Sequence, residues 1–170
     1  TQLSGTGGVF NAGAGTYTPA SGATTSTFQY TIAGVAPCVD DSSVVTININ
    51  AQPNAGTDGN TTVCDSSTTA IDLFSLITGE QSGGVWTQLS GTGGVFNAGA
   101  GTYIPAVGAT TSTFQYTIAG VAPCVDDSSV VTININAQPN AGTDGITTVC
   151  DSSTTAIDLF SLITGEQSGG

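Results

Sequence analysis

Residues 113–136 read TFQYTIAGVAPCVDDSSVVTININ, and the alternation within this stretch decides the fold. Apolar and polar residues alternate from Phe114 to Ile118 and again from Val131 to Ile135. A period of two is typical of a strand that buries one face. A proline-containing loop joins the two runs, so the stretch predicts a β-hairpin with one apolar face.

Shorter strand-like segments fill the rest of the unit that contains this hairpin. They cover residues 61–63, 68–76 with a helical turn at 73–77, 84–89 around Trp86, and 94–103 with a glycine bulge or bend. Short strands separated by turn residues are typical of a β-sandwich. We therefore predict an all-β fold of tandem immunoglobulin-like β-sandwich domains, with about seven strands each and Trp86 in the core.

The sequence is one unit repeated. Residue 87 repeats residue 1, so the period is 86 residues. Positions 1–84 and 87–170 differ only at three places, which are Thr18 against Ile104, Ser21 against Val107, and Asn60 against Ile146. Such close identity indicates a recent duplication or a homogenised array, and one repeat carries almost all of the information.

Linkers rich in Pro, Gly and Asn mark the boundaries between repeats. We predict that residues 1–53 are the C-terminal part of one sandwich repeat. Residues 54–139 would then be one complete repeat, and residues 140–170 the N-terminal part of the next. Both ends of the sequence fall in the strand around Trp86 of the repeat. This favours a window of a longer array, and the alternative is a subunit whose split domain is completed by its neighbour through strand donation.

Charge and composition exclude several classes of function. The 170 residues contain no Lys, Arg or His, and 12 Asp and Glu residues give a net charge of −12. Without cations the chain can neither neutralise nucleic-acid phosphates nor be attracted to an anionic membrane surface. No apolar run approaches the ~18 residues of a transmembrane helix. Without His, neither a Ser-His-Asp nor a Cys-His site can be assembled.

A pair of carboxylates, as in glycosidases, is the remaining catalytic pattern. Its candidates, Asp126 and Asp127, are adjacent in the sequence and recur as Asp40 and Asp41. An active site copied into every domain of an array is not expected. We therefore predict that the protein is not an enzyme.

Each repeat carries two cysteines, and their number predicts disulfides. Cys38 and Cys124 lie in the motif APCVDD, and Cys64 and Cys150 lie in TVCDSS. An even number of cysteines in a sequence of extracellular character favours disulfides over free thiols. Zinc is the other alternative, but no His and no CxxC spacing is present.

Two pairings of these cysteines stay open. Cys64 could bridge Cys124 within one domain, which would close a loop of about 60 residues and needs no neighbour. In an immunoglobulin-like sandwich, however, the two loops lie at opposite ends, and a disulfide needs Cα atoms within about 7 Å. The alternative joins the Cys64-type residue of one domain to the Cys124-type residue of its successor and would staple the joint.

Carboxylates also cluster in loops near the predicted domain ends. They are Asp40, Asp41, Asp58, Asp126, Asp127 and Asp144. Oxygen ligands suit Ca²⁺, so these residues are candidate calcium ligands. The alternative is that they are solvated acids that cap turns, and no other cofactor is expected.

Asn60 begins an N-x-T sequon and is a candidate glycosylation site, which the second repeat replaces with Ile146.

Three stretches resemble a known family. They are AGTDGNTTVCDSSTTAIDL at 55–73, GGVWTQLSGTGGVF at 83–96 and TFQYTIAGVAPCVDDSSVVTINI at 113–135. Together they are similar to the immunoglobulin-like and PKD-like tandem repeats of giant Bacteroidetes cell-surface proteins. Those repeats open with an A-G-x-D-x-T-V-C-like segment and close with a Cys, acidic residues and a V-T-V strand. The resemblance implies an adhesin-type protein exported by the type IX route, with a role in adhesion, gliding or surface filaments.

Two functions from different classes follow from these observations. The first is a structural repeat of an extracellular, cell-surface filament or adhesin stalk, whose partners are neighbouring copies of the same repeat in a linear array. The alternative is an adhesive module in which each repeat binds a glycan or protein ligand. Near-identical repeats with short loops of small residues favour the stalk, because a binding module would be expected to vary its loops.

Overall fold

The structure is a computed structural model and describes residues 1–168. Two 3₁₀ turns lie at Phe74–Leu76 and Phe160–Leu162. The strands are β1 (Gln2–Ser4), β2 (Val9–Asn11), β3 (Thr16–Thr18), β4 (Ser26–Ile32), β5 (Asp41–Ile47), β6 (Gly59–Cys64), β7 (Ile71–Asp72), β8 (Val85–Ser90), β9 (Val95–Asn97), β10 (Thr102–Ile104), β11 (Ser112–Ile118) and β12 (Asp127–Asn136).

Strands β6 to β12 form one complete sandwich within residues 54–139. One sheet has four strands in the order β6-β12-β11-β8, and the other has three in the order β7-β10-β9. Neighbouring strands are antiparallel except β6 and β12, which are parallel. The predicted seven-stranded, all-β sandwich is confirmed.

The predicted hairpin, β11 with β12, forms the centre of the larger sheet. Its register places Phe114 opposite Val131 and Tyr116 opposite Ser129, and all four residues are buried. The alternation read from the sequence thus points one row of side chains at the smaller sheet. Burial of this apolar row is the main force that holds the two sheets together.

The parallel partner of β12 is β6, and the sequence did not indicate this pairing. The ladder runs from Gly59 opposite Val131 to Cys64 opposite Asn136. Strand β6 follows the linker that enters the domain, and β12 precedes the linker that leaves it. The chain therefore enters and leaves the sandwich at opposite ends of one pair of strands.

Trp86 lies in the core, as predicted, and further aromatic rings fill the core around it. Trp86 is 2% exposed, and its ring centroid lies 5.2 Å from that of Tyr116 and 5.5 Å from that of Phe74. Aromatic contacts at such distances stabilise a core beyond the area that they bury. The buried residues of the core are Ala55, Leu73, Ile77, Trp86, Tyr103, Phe114, Tyr116, Val131 and Ile133.

Two predicted strands have other bounds in the structure. Residues 94–103 form two strands, β9 and β10, joined by a turn, and not one bent strand. Gly101 in this turn has φ +63°, and a Cβ there would lie 2.6 Å from the ring of Phe74 and 2.8 Å from Nε1 of Trp86, so glycine is required. Residues 68–76 contain a strand only at β7, followed by the predicted helical turn.

Residues 1–53 and 140–168 expose the faces that the complete sandwich buries. Strands β1 to β5 repeat the two sheets without counterparts of β6 and β7. Tyr30 is 70% exposed where Tyr116 is 1% exposed, and Leu159 is 70% exposed where Leu73 is fully buried. The local sequences are the same, so burial depends on whether the complementary segment of the repeat is packed against them.

Replacement of a core valine tests this difference in burial. Val131→Ala should lower the free energy of unfolding of the complete sandwich by roughly 2 kcal/mol, because it removes apolar volume from a fully buried site. Val45→Ala makes the same change at the counterpart, which is 58% exposed, and should leave the stability of the monomeric chain nearly unchanged. Urea unfolding followed by the fluorescence of Trp86, the one tryptophan, reports on this sandwich. Equal losses in both variants would contradict the assignment of the core.

Candidate functional site

The candidate functional site is the joint between successive repeats. Where residues 1–53 meet the complete sandwich, the Asn50 side chain donates a hydrogen bond of 2.8 Å from Nδ2 to the carbonyl oxygen of Ala122. The Gln52 side chain donates one of 3.2 Å from Nε2 to the carbonyl oxygen of Val125. Two amide side chains therefore fasten the end of one repeat to the β11–β12 loop of the next.

The downstream end of the complete sandwich shows the other side of such a joint. Asp65 is 4% exposed, and its carboxylate accepts hydrogen bonds from the backbone N–H groups of Gln138, at 2.8 Å, and Gly108, at 3.0 Å. The Ser66 hydroxyl donates to Oε1 of Gln138 at 2.8 Å. The backbone N–H of Asp65 donates to the carbonyl oxygen of Asn136 at 2.9 Å. These bonds hold the departing linker against the end of β6.

The two ends are halves of one arrangement, because residues 50–53 and 136–139 share the sequence NAQP. The side-chain oxygen of Gln138 accepts a hydrogen bond from Ser66 of its own domain, whereas the side-chain nitrogen of Gln52 donates one to the carbonyl oxygen of Val125 in the domain that follows. One amide group can do both at once. In a joint with two complete repeats, this glutamine would bridge the two domains.

The pKa of the Asp65 carboxyl is lowered from its ordinary value. Hydrogen bonds from the backbone N–H groups of Gly108 and Gln138 stabilise the charged form and outweigh the opposing effect of desolvation. Because the folded-state pKa is depressed, the resulting stability is present above the unfolded-state pKa of about 3.9. It is lost as the pH falls through the folded-state pKa.

The four cysteines are free thiols in this structure. Cys64 ends β6 beside Asn136, whereas Cys124 lies before the start of β12. Along the ten residues of β12 this separation is about 30 Å. The intradomain bridge from Cys64 to Cys124 is therefore incompatible with this fold, since a disulfide spans at most about 7 Å between Cα atoms.

The thiols differ in accessibility, and the pKa of the Cys150 thiol is lowered from its ordinary value. Cys38 and Cys150 are exposed, and Cys64 and Cys124 are half-buried. The hydroxyl of Ser152, 3.1 Å from the sulfur of Cys150, lowers the pKa of that thiol, and the backbone N–H of Ser152 acts in the same direction. A lowered pKa increases the thiolate fraction, which is the form that reacts in disulfide exchange.

The predicted calcium ligands serve mostly as acceptors for backbone N–H groups. The pairs are Asp40 with Gly34 at 2.9 Å, Asp41 with Ser42 at 3.0 Å, Asp58 with Val130 at 2.7 Å, Asp126 with Gly120 at 2.8 Å, and Asp127 with Ala55 at 2.7 Å. Asp144 is exposed. Within residues 1–168, no three or more Cys, Asp or Glu side chains group closely enough to hold a metal ion. Calcium binding stays a prediction for which the structure assembles no ligand set.

Two further sequence features concern the surface. Asn60 is exposed on β6, so its glycosylation stays a prediction at an accessible site. None of the helical segments in residues 1–168 is long and apolar enough to cross a membrane.

Sequence reasoning missed three residues that build the joint, namely Asn50, Gln52 and Asp65. None of them belongs to a catalytic or metal-binding motif, so their chemistry alone gave no signal. The signal that could have found them is positional. The amide-containing run NAQP recurs where the last strand of each repeat, β5 or β12, leads into the linker. An acidic residue, Asp65, directly follows Cys64 at the end of β6, the first strand of the complete repeat.

Compared with protein-family models, with curated proteins and with solved structures, the chain matches none.

Asp65→Asn tests the contribution of the joint carboxylate. The variant should be less stable than the wild type near pH 7, because a neutral amide is a weaker acceptor for the N–H groups of Gly108 and Gln138. The difference should shrink progressively below about pH 4, where the wild-type carboxylate also approaches neutrality. Urea midpoints from Trp86 fluorescence at several pH values measure it.

Asp151→Asn is the matched control, because Asp151 occupies the same position of the repeat but is exposed. It should leave the unfolding of the complete sandwich unchanged. A stability difference in Asp65→Asn that stays constant from neutral to acid pH would show that the charge of Asp65 plays no part.

Proposed function

We propose that this chain is a structural part of an extracellular filament or adhesin stalk built of tandem β-sandwich repeats. Its partners are neighbouring copies of the same repeat, arranged head to tail in a linear array. The joint carries this proposal, because side chains at the end of one repeat hydrogen-bond the backbone of the next. Such contacts oppose the relative domain motion that is the default for domains with small interfaces.

The linker itself also supports a stiff array. Pro53 is buried, and Ala55 is fully buried in the sandwich that it precedes. The N–H of Ala55 donates to the Asp127 carboxylate at 2.7 Å, and its carbonyl oxygen accepts from the Ser129 hydroxyl at 2.8 Å. Few backbone dihedrals between the repeats are therefore free to rotate, and proline fixes one more.

The incomplete repeats at the two ends present complementary apolar surfaces. The lining of a groove on residues 1–53 includes Phe10, Tyr17, Phe28, Tyr30, Val45 and Ile47. In the complete sandwich, the counterparts of these residues share a core with the fully buried Leu73. The counterpart of Leu73 is Leu159, which is 70% exposed. Residues 140–168 of a neighbouring copy would bury both surfaces if they packed into this groove.

Binding of a glycan or protein ligand by each repeat has no comparable support. Every aromatic ring in residues 54–139 is buried or half-buried in the core, which leaves none exposed for a sugar to stack on. Two aromatic side chains elsewhere in the described chain are exposed: Tyr30 lines the groove on residues 1–53, and Phe160 is the counterpart of Phe74, which packs against the core of the complete sandwich.

Composition supports a location at the cell surface. With no Lys or Arg the chain has no site for trypsin-like proteases, and a net charge of −12 makes neighbouring rods repel one another. The resemblance to repeats of Bacteroidetes cell-surface proteins points the same way. Export by the type IX route is part of the same proposal.

Tyr30→Asp tests assembly through the groove. The wild-type chain should assemble head to tail as its concentration rises, because each contact removes apolar surface such as Tyr30 and Leu159 from water. Sedimentation velocity measures this assembly, and electron microscopy should show linear rods with a uniform step. Tyr30→Asp should keep the chain monomeric, because contact would bury an unpaired carboxylate.

Val44→Asp is the matched control. Val44 lies opposite Gln29 on the outer face of the same sheet and is 56% exposed, so the same charge is added away from the groove. This variant should assemble like the wild type. A wild-type chain that stays monomeric at high concentration, or an equal loss of assembly in both variants, would rule out the proposed contact.

A further inference from the structure

We propose that a disulfide joins Cys64 of one repeat to the residue at the position of Cys124 in the repeat that follows. Each joint of the array would then carry one covalent staple. In terms of two successive copies of this chain, Cys64 and Cys150 of the first would pair with Cys38 and Cys124 of the second. The inference rests on the proposed array and on its oxidising, extracellular location.

Both cysteine positions lie close to the backbone carbonyl oxygen of one position of the repeat, occupied by Asn50 and Asn136. At the downstream end of the sandwich, the oxygen of Asn136 accepts from the N–H of Asp65 at 2.9 Å, and Cys64 directly precedes Asp65. At the upstream end, the oxygen of Asn50 accepts from the Cys124 thiol at 3.3 Å. Asn50 and Asn136 occupy the same position of the repeat. In a joint with both repeats complete, the later thiol and the earlier Asp65 amide would therefore contact the same atom.

The contacts of the linker glutamine, which recurs at the same position of both repeats, give the same result. The sulfur of Cys64 lies 3.2 Å from Oε1 of Gln138. The counterpart of that glutamine, Gln52, has its Nε2 3.2 Å from the carbonyl oxygen of Val125, the residue next to Cys124. One amide group would thus contact the Cys64 thiol on one side and the Cys124 loop of the next repeat on the other.

The spacing of the strands is compatible with a bridge. Cys64 is the cross-strand partner of Asn136, and such Cα atoms lie about 5 Å apart. A cysteine whose thiol contacts the carbonyl oxygen of Asn136 therefore lies beside the residue that Cys64 faces, and the proposed bridge requires the two cysteine Cα atoms to come within about 4.4–6.8 Å. Cys124 of the same domain is excluded, because it lies at the other end of β12.

The bond would form by thiol–disulfide exchange with a disulfide reagent of the exporting compartment, for which oxidised glutathione is the laboratory equivalent. The thiolate of one cysteine attacks the reagent, which gives a mixed disulfide and releases one thiol. The second protein thiolate then attacks the mixed disulfide and releases the other thiol. The two protein thiols lose two electrons and two protons, and the reagent is reduced to two thiols.

A fused chain of two copies tests the pairing without requiring separate molecules to assemble. A Val-Trp dipeptide, the sequence of Val85 and Trp86, joins the copies and continues the period of the repeat. The test variant retains only Cys64 of the first copy and Cys38 of the second, with every other cysteine changed to Ser. Oxidised glutathione should remove both free thiols from the monomeric protein, as measured by thiol titration and by an intact-mass loss of two hydrogens.

The matched control retains only Cys64 and Cys124 of the first copy, which is the intradomain pair. It should keep both thiols free under the same conditions, and Trp fluorescence of both reduced variants checks that they are folded. Two free thiols in the folded test variant, or an internal disulfide in the control, would overturn the pairing.

The experiments distinguish a failure of the proposed disulfide from a failure of the proposed array. Assembly of the single 170-residue chain is measured with all four thiols reduced, so it depends on non-covalent contacts alone. If single chains assemble but the fused chain forms no disulfide, the proposed disulfide is refuted and the proposed array is supported. If the fused chain forms the disulfide but single chains do not assemble, the proposed disulfide is supported and the proposed contact between separate copies is refuted.

Discussion

The parallel pairing of β6 with β12 is the constraint on which the rest of the structure depends. It sets the first and last strands of a repeat side by side and pointing the same way. Because of this, Cys64 and Asp65 come to lie beside Asn136 at one end, while the β11–β12 loop lies at the other. If the two strands were antiparallel, both linkers would meet at one end, and successive repeats could not follow one another in line.

Local sequence was sufficient for the hairpin but not for this pairing. The alternation from Val131 to Ile135 predicted both the strand and its buried face, because a period of two is a property of neighbouring residues. Strand β6 reads GNTTVC, which has no strong alternation, and its partner lies about seventy residues further along the chain. Only the completed sheet shows that the edge of β12 is available and which direction β6 takes along it.

The joint could not be predicted, because its residues act through position and not through a chemical motif. In one dimension, Asn50 and Gln52 belong to a proline-containing linker, which indicates no more than a turn. Asp58 and Asp127 were noted from the sequence only as acidic loop residues and candidate calcium ligands, but each carboxylate accepts a hydrogen bond from a backbone N–H group 72 residues away in the chain, and the sequence pattern did not indicate these contacts. The cysteines were recognised from the sequence, but their pairing depends on which end of a strand each one occupies.

The same pair of terminal strands determines how an array would respond to tension. A pull along the chain reaches each sandwich at the start of β6 and leaves it at the end of β12. Because these strands are parallel and paired at six positions, the load would act along the strands in shear and strain the whole ladder together. An antiparallel pair loaded from one end would open one hydrogen bond at a time. Forced unfolding is governed by the barrier to leaving the native state, so this topology suits a protein that carries mechanical load.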